Sequence, residues 1–551
     1  MGEQEVTADA DLDPLLVAAL CGTVVPGRET LGGLFRQDGA ADGLAPGPVL
    51  AELTAQQVAR ADELSDDEVI GTMHAARRQA NLADYQQTVM VAVFTRRRRA
   101  QFEAALAAGK PAGCRDGEFP GAELAMELTE TQAEAGLRSD TAVELTTRLP
   151  RTLALMATGV LDLGRAMTIA QRTLILSDTD AAYADEVLSA VAADMRPDQL
   201  ARKAAALEMK LAPEAVKARK EQARQLDQRV EVRRELSGNA SLSGRELSTA
   251  DALASKAHID AIAARLRDSG MVEGTLPRLR ALVLTDLTQG RAPLDRIKPG
   301  SSSQDPQDPQ DPRPDPAPGP LPALINLLVP ADTLLGQGNA PTQAGPWDLL
   351  DADDTKTVVK AASRHPRTRW CVTVTGTDGT AVAHGCADGQ HPWPASSPPS
   401  ASSPPSASGP RSASSPPSAG RPPEGGPEPP LHALLRRLNI TLDPLARDTC
   451  DHQHAENRYV PSRRLRHLLR ARNQTCTAPA CNAQAVHCDS DHTVPYPDGP
   501  TCECNLNPKC RRHHRAKQAP GWKVTQPAPD TARWVTPAGR VHTVGPTRYD
   551  S

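Results

Sequence analysis

A chain of 551 residues exceeds one ordinary domain and suits about two to four. With 39% hydrophobic residues, 3% aromatic residues and 50 prolines, part of it has too little to bury, and Ala and Leu must build whatever core exists. A formal net charge of -5 gives no support to a uniformly basic nucleic-acid binder, so any cationic patch has to be local.

The start, "MGEQEVTADADLDPLLVAALCG", lacks the basic opening and long apolar run of a signal peptide, and no stretch reaches membrane-spanning length. The expectation is a cytoplasmic chain without a membrane partner. Residues 13–295 read as a mostly α-helical domain. "DDEVIGTMHAARRQANLADYQQTVMVAVFTRRRRAQFEAALAAG" keeps apolar residues at helical spacing and stops at Gly109. Its run Arg96–Arg99 reads as the solvated side of a helix. Short helices follow, broken at Pro150 and Gly159, and "SDTD" caps the next one. Pro213 to Gln228 is a charged helix, and "VEVRRELSGNASLSG" turns at Gly238-Asn239 as a β-hairpin.

Residues 296–320, with their Gln-Asp-Pro repeat, and 393–430, with their Ser/Ala/Pro repeat, are expected to be disordered linkers. Between them, 321–392 forms a small mixed segment whose "TRWCVTVTGTDGTAVAHGC" makes a hairpin at Asp378-Gly379. Cys371 and Cys386 on its two strands are expected to have no His/Cys partner set nearby and read as ordinary buried thiols. The last unit, 431–545, has helical lead-ins and a core at 470–525.

The eleven cysteines are an odd count, and seven of them lie between Cys450 and Cys510. A disulfide framework would spread pairs through a small domain, so a metal site in a reduced compartment fits better. Cys476 and Cys481 form one short-spaced pair, Cys510 and His513 another, the pattern of a closed tetrahedral zinc site. Such a structural zinc can supply roughly 10–16 kcal/mol of apparent binding free energy. Spacing leaves Cys488, Cys502 and Cys504 as substitutes for one of the four, and places both His513 and His514 within a helical turn of Cys510. "CDHQHAE" from Cys450 has no second short-spaced pair of its own and reads as a loop with a capping Asp.

Around that zinc, "DHTVP", "NL" and "CRRHHRAK" resemble the HNH (ββα-metal) nuclease family over about Arg470 to Trp522. The resemblance implies a zinc-stabilised ββα-metal domain in which His492 is the general base. It assigns Asp491 and His514 to a catalytic divalent ion (Mg²⁺ or Mn²⁺, with Zn²⁺ or Ni²⁺ as alternatives). It gives Asn505 a bracing role between strand and helix, and Cys476, Cys481, Cys510 and His513 the structural Zn²⁺. The chemistry asks for these types independently: phosphodiester hydrolysis needs a base that titrates near neutrality and a cation opposite the developing charge. Basic residues crowd the motif, among them Arg463, Arg464, Arg466, Arg470, Arg472, Lys509 and Arg511. Arg512, Arg515 and Lys517 are the expected nucleic-acid contacts. The expected partner is nucleic acid, DNA first; the alternative is a catalytically silent, zinc-stabilised nucleic-acid-binding protein. From roughly Asp13 to Pro293, "TRLPRTLALMATGVLDLGRAMTIAQRT" included, the chain also resembles the bacterial domain-of-unknown-function 222 family, which implies no chemistry for the helical part.

Overall fold

The computed structural model describes residues 33–297, 327–331, 333, 338–343, 349–363, 368–387 and 438–549. The linkers expected at 296–320 (from residue 298) and 393–430 lie outside the described residues, as do 13–32 and most of the first helical lead-in.

From residue 33 to residue 288 the chain folds as helices with one hairpin among them, and local sequence signals mark many of the helix starts. The spine is α3 (Asp66–Ala107), preceded by α1 (Ala40–Gly43) and α2 (Pro48–Val58). Ser65 and Glu68 form a reciprocal capping box at its start. Then come α4 (Pro120–Leu128), α5 (Gln132–Arg148), α6 (Pro150–Ala157), α7 (Leu163–Thr173), α8 (Asp178–Ala192), α9 (Pro197–Leu211) and α10 (Pro213–Leu226). Four of these open on a proline, whose missing N–H costs nothing in a first turn. Gly159 ends α6 at φ 77°, where an added Cβ would stand 2.8 Å from the Arg78 carbonyl oxygen, so a side chain is excluded twice over.

With so few aromatics, the main core is made of Leu145, Leu149, Met156, Leu161, Ile169 and Leu188, with alanines letting the helices approach closely. The expected hairpin is present as β1 (Arg229–Arg234) and β2 (Ala240–Arg245), followed by α11 (Thr249–Asp268) and α12 (Leu276–Thr288). Arg96, Arg97 and Arg99 of the arginine run are exposed as expected, and Arg98 is the exception. Arg98 is mostly buried and holds Glu123 of α4 in a two-pronged ion pair, while Arg99 pairs with Asp140 of α5.

The middle segment supplies the short pair β3 (Thr342–Gln343) and β4 (Leu349–Leu350), α13 (Ala352–Ser363), and the hairpin β5 (Cys371–Thr375) and β6 (Ala381–Cys386). Its turn falls at the predicted place, with Gly379 at φ 76°. A strand from beyond the second linker, β7 (Asp443–Pro444), extends this sheet beside β6. Next comes α14 (Arg463–Arg472), then β8 (Asp489–His492) antiparallel to β9 (Leu506–Lys509), and α15 (Arg511–Ala516). A meander, β10 (Lys523–Ala528), β11 (Thr531–Val535) and β12 (Val541–Val544), completes the unit.

The helical part and this last unit share a core. Ala122 and Met126 of α4 pack with Ala516, Ala519, Trp522 and Trp534. Acidic residues of the helical part line the same contact: Glu118 pairs with Arg515, Glu127 with His542, and Glu123 accepts the Ala538 N–H.

Candidate active site and metal centres

The β8–β9 pair and α15 form a ββα unit, and its residues fall into two neighbouring sites. In the first, Cys476, Cys481, Cys510 and His513 place their ligand atoms within 4.8 Å of one another. Two come from the turn after α14 and two from the start of α15. His513 is fully buried, with Nδ1 at 3.5 Å from Cys476 Sγ and 3.3 Å from Cys510 Sγ. The Cys510 N–H points at Cys476 Sγ.

His513 Nε2 faces the side-chain amide of Gln132, 3.4 Å away, at the first position of α5. The Gln132 oxygen is otherwise buried without a partner, and turning the amide over lets it accept an Nε2–H. Nδ1 is then the lone-pair nitrogen facing the thiols, which is how a ligating histidine is normally braced. Of the alternatives left open by spacing, Cys488 instead bonds the Ala483 and Gln484 carbonyls, and Cys502 and Cys504 belong elsewhere. This group could hold a metal ion such as zinc.

The second site lies where β8 meets α15. His514 Nε2 is 3.0 Å from Asp491 Oδ1, and His514 Nδ1 is 2.9 Å from Asp489 Oδ2. Both ring nitrogens therefore face carboxylates, which calls for a second ring proton or for a cation between one nitrogen and its carboxylate. The two carboxylates raise the His514 pKa, Asp491 most. Asp491 is buried, which alone would push its pKa up. His514, Lys509 and Lys517 override that and hold it well below the usual carboxylate range. Lys509, wholly buried, stands 3.1 Å from Asp491 Oδ2, and burial pushes its pKa down. Asp489 and Lys509 were missed as site residues, although Asp489 sits two positions before Asp491 and so on the same face of a strand.

His492 is buried and stacks on Tyr459, and that burial lowers its pKa. Its Nε2 lies 2.8 Å from the Thr501 hydroxyl. That hydroxyl gives its single proton to the Arg458 carbonyl, so toward His492 it can only accept. The neutral imidazole therefore carries its proton on Nε2 and keeps the lone pair on Nδ1.

Asn505 braces a different connection from the one expected. It ties the β8–β9 loop, not the strand–helix junction, by donating to the Val494 and Pro500 carbonyls and accepting the Val494 N–H. Gly499 makes room for it, since a Cβ there would lie 2.4 Å from Asn505 Nδ2.

The basic residues are not one surface. Arg472 is buried, donates to the Glu503 and Leu506 carbonyls and to Asn507, and has its pKa lowered by burial to about 10. Arg464 pairs with Asp443 and Arg511 with Asp489. Of the expected nucleic-acid contacts, Arg515 pairs with Glu118, and Arg512 is exposed with its guanidinium close to Gly121 of α4. Lys517 bonds Asp491 and the His492 carbonyl.

Two readings of the sequence need correction. Cys371 and Cys386 are not isolated thiols: pairing of β5 with β6 and packing of α14 bring His384 and His467 to them. The "CDHQHAE" segment is not a plain loop either, because Cys450 and His452 meet Cys502 and Cys504. In each set one short-spaced pair is local, His384 with Cys386 and Cys450 with His452, and the spacing did not show the ligands that strand pairing, α14 and the β8–β9 loop bring to it.

Residues 74–346 match the family model described as "Domain of unknown function (DUF222)". That span starts inside α3, later than the resemblance suggested, and ends in the middle segment. Among curated proteins, the chain is 41% identical over 93 residues to "Uncharacterized protein Rv3776" and "Uncharacterized protein Rv2100" of Mycobacterium tuberculosis (strain ATCC 25618 / H37Rv). It has the same identity over the same length to "Uncharacterized protein MT2160" of Mycobacterium tuberculosis (strain CDC 1551 / Oshkosh). The matched stretch is 17% of this chain and 17–18% of those relatives' length, so the chain spans less than a fifth of each. No solved structure matches. No described helix is long and apolar enough to cross a membrane.

Proposed function

We propose that the C-terminal unit is an HNH-type, metal-dependent endonuclease that hydrolyses phosphodiester bonds of nucleic acid, with DNA as the first substrate to test. The observation that carries this reading is the convergence of Asp491 and His514 at 3.0 Å beside His492, whose only lone-pair nitrogen is Nδ1. An oxygen and a nitrogen ligand of this kind suit a divalent ion such as Mg²⁺ or Mn²⁺, which when bound would offset charge developing on the phosphate and the departing oxygen.

In this reading the chain's own residues do the following. His492 Nδ1 takes the proton of the attacking water, and its lowered pKa keeps it unprotonated near neutrality. Thr501 holds the imidazole in the tautomer that leaves Nδ1 free. Asp489 orients His514 through Nδ1. Asn505 holds the loop that carries Thr501. Lys517 places a cation beside Asp491, within reach of a bound phosphate's field. The Cys476, Cys481, Cys510 and His513 group serves as structural zinc, setting where α15 starts and hence where His514 stands.

The test is incubation of the purified chain with supercoiled plasmid and Mg²⁺ or Mn²⁺, with and without chelator. Nicked and linear products that vanish with chelator and with His492→Ala support the reading. Gel-shifted but uncut plasmid under every metal would replace it with a zinc-stabilised binding protein.

A further inference from the structure

We infer that the chain carries two more soft-metal centres beyond the Cys476 group: a Cys₃His site at Cys450, His452, Cys502 and Cys504, and a Cys₂His₂ site at Cys371, His384, Cys386 and His467. Each is argued from its own observations, and neither depends on the chain being a nuclease.

The first is built from two segments fifty residues apart in sequence. Cys502 and Cys504 flank a turn closed by the Asn505 and Leu506 N–H groups on the Cys502 carbonyl. Cys450 and His452 lie on the loop that passes this turn, where the Glu456 N–H bonds the Thr501 carbonyl. Cys450 Sγ is 3.5 Å from Cys502 Sγ, His452 Nδ1 is 3.7 Å from Cys504 Sγ, and the four ligand atoms fall within 4.8 Å of one another. The thiols are free.

The surroundings are organised as a metal site's would be. Glu503, between the two cysteines, is buried and takes the Ala446 N–H and His454 Nδ1, fastening the passing loop on both sides of the cluster. Three thiolates and an imidazole are the ligand set of a closed, structural Zn²⁺ site and a poor one for Mg²⁺ or Ca²⁺. Thr501 and Asn505 bracket this same turn, so a metal here fixes the loop on which His492 leans.

The second centre joins parts of the chain on opposite sides of the second linker. Cys371 and Cys386 are directly paired across β5 and β6, and His467 comes from α14. His467 Nδ1 is 2.9 Å from Cys386 Sγ and 3.9 Å from Cys371 Sγ. His384 Nε2 is 3.5 Å from Cys386 Sγ, and its Nδ1 is 2.8 Å from Thr373 Oγ1. A Thr hydroxyl on the far nitrogen orients His384 in the way second-shell partners orient ligating histidines. Apolar packing between the sheet and the helix is small, Ala381 and Leu445 against Leu468 and Ala471 with Tyr549 beside them, and a four-ligand metal would add a further fastening there.

The experiment is elemental analysis of the purified full chain, with Co²⁺ substitution to read thiolate coordination by its charge-transfer band. Three zinc ions per wild-type chain are expected. The pair Cys450→Ser with Cys502→Ser should lose one, and Cys371→Ser with Cys386→Ser another, the Cys476 group keeping its own. Should a variant fail to fold, titrating wild-type apoprotein with Co²⁺ still counts the sites: a thiolate band that saturates at three equivalents supports both, and saturation at one overturns both. A Cys371–Cys386 or Cys450–Cys502 disulfide found by alkylation and mass spectrometry in freshly purified chain would overturn the corresponding centre.

Discussion

Thr501 has one hydroxyl proton and spends it on the Arg458 carbonyl, and that decides which nitrogen of His492 can act as a base. Thr501→Val removes the acceptor and lets the ring turn or change tautomer. Cleavage should fall through kcat by roughly tenfold to a hundredfold with KM little changed, less than the loss of about 10²–10⁴ expected for removing the base itself. Thr501→Ser should restore most of it, and an unchanged kcat in Thr501→Val would take Thr501 out of the mechanism. His492→Ala should abolish plasmid nicking while thermal unfolding and DNA retention stay near wild type, since a general base acts in the transition state. The adjacent histidines divide differently. His513→Ala should lower zinc content and destabilise the last unit, because metal binding there is coupled to folding. His514→Ala should keep zinc and fold and lose activity. Zinc lost from His514→Ala but kept in His513→Ala would reverse the assignment.

Among elements, α12 depends on a buried carboxylate at its end. Asp286 accepts from Arg291 and Arg296, and these guanidinium groups, Arg296 first, hold its pKa below the ordinary value. A depressed folded-state pKa contributes stability that is present above the unfolded value of about 4 and lost as pH falls through the lower native one. Asp286→Asn should therefore cost about 1–3 kcal/mol at pH 7. Urea unfolding of both proteins should show that gap narrowing toward pH 3; a constant gap would mean that the loss is in packing and not in charge. Local elements of this kind were legible in the sequence, because capping boxes, helix-opening prolines and the Gly238 and Gly379 turns are decided within a few residues. The Cys476 group was legible for the same reason: each of its pairs is short-spaced. His384 and His467, or His452 and Cys504, were not, because only strand pairing and a passing loop bring them together. Asp489 could have been found by strand periodicity, whereas Thr501 and Gln132 act through single hydrogen bonds that leave no mark in spacing.

At the scale of the whole molecule, the helical part and the C-terminal unit are one packed body at α4. The charge there has a direction: Glu118, Glu123 and Glu127 face Arg515, the Ala538 N–H and His542, so residues expected to meet nucleic acid are partly engaged by the chain's own acids. The Cys476 group sits in this contact, since Gln132 reaches His513 and Cys476 belongs to the same core as Ala122, Met126 and Trp534. Removing the metal should thus be felt in a helix that supplies none of its ligands. His513 Nδ1 and the three thiols lose the ion they would share, the turn carrying Cys476 and Cys481 loosens, and the apolar face of α4 loses the surface it rests on. Hydrogen exchange of the full chain before and after chelation should show Pro120–Leu128 exchanging at least about tenfold faster, about 1.4 kcal/mol of lost protection. The amides of α8, in the Leu145–Leu188 core, should be unchanged and serve as the internal control. If α4 keeps its protection while α15 loses its own, the two parts are joined by the acidic contacts alone, and the metal governs only the unit that binds it.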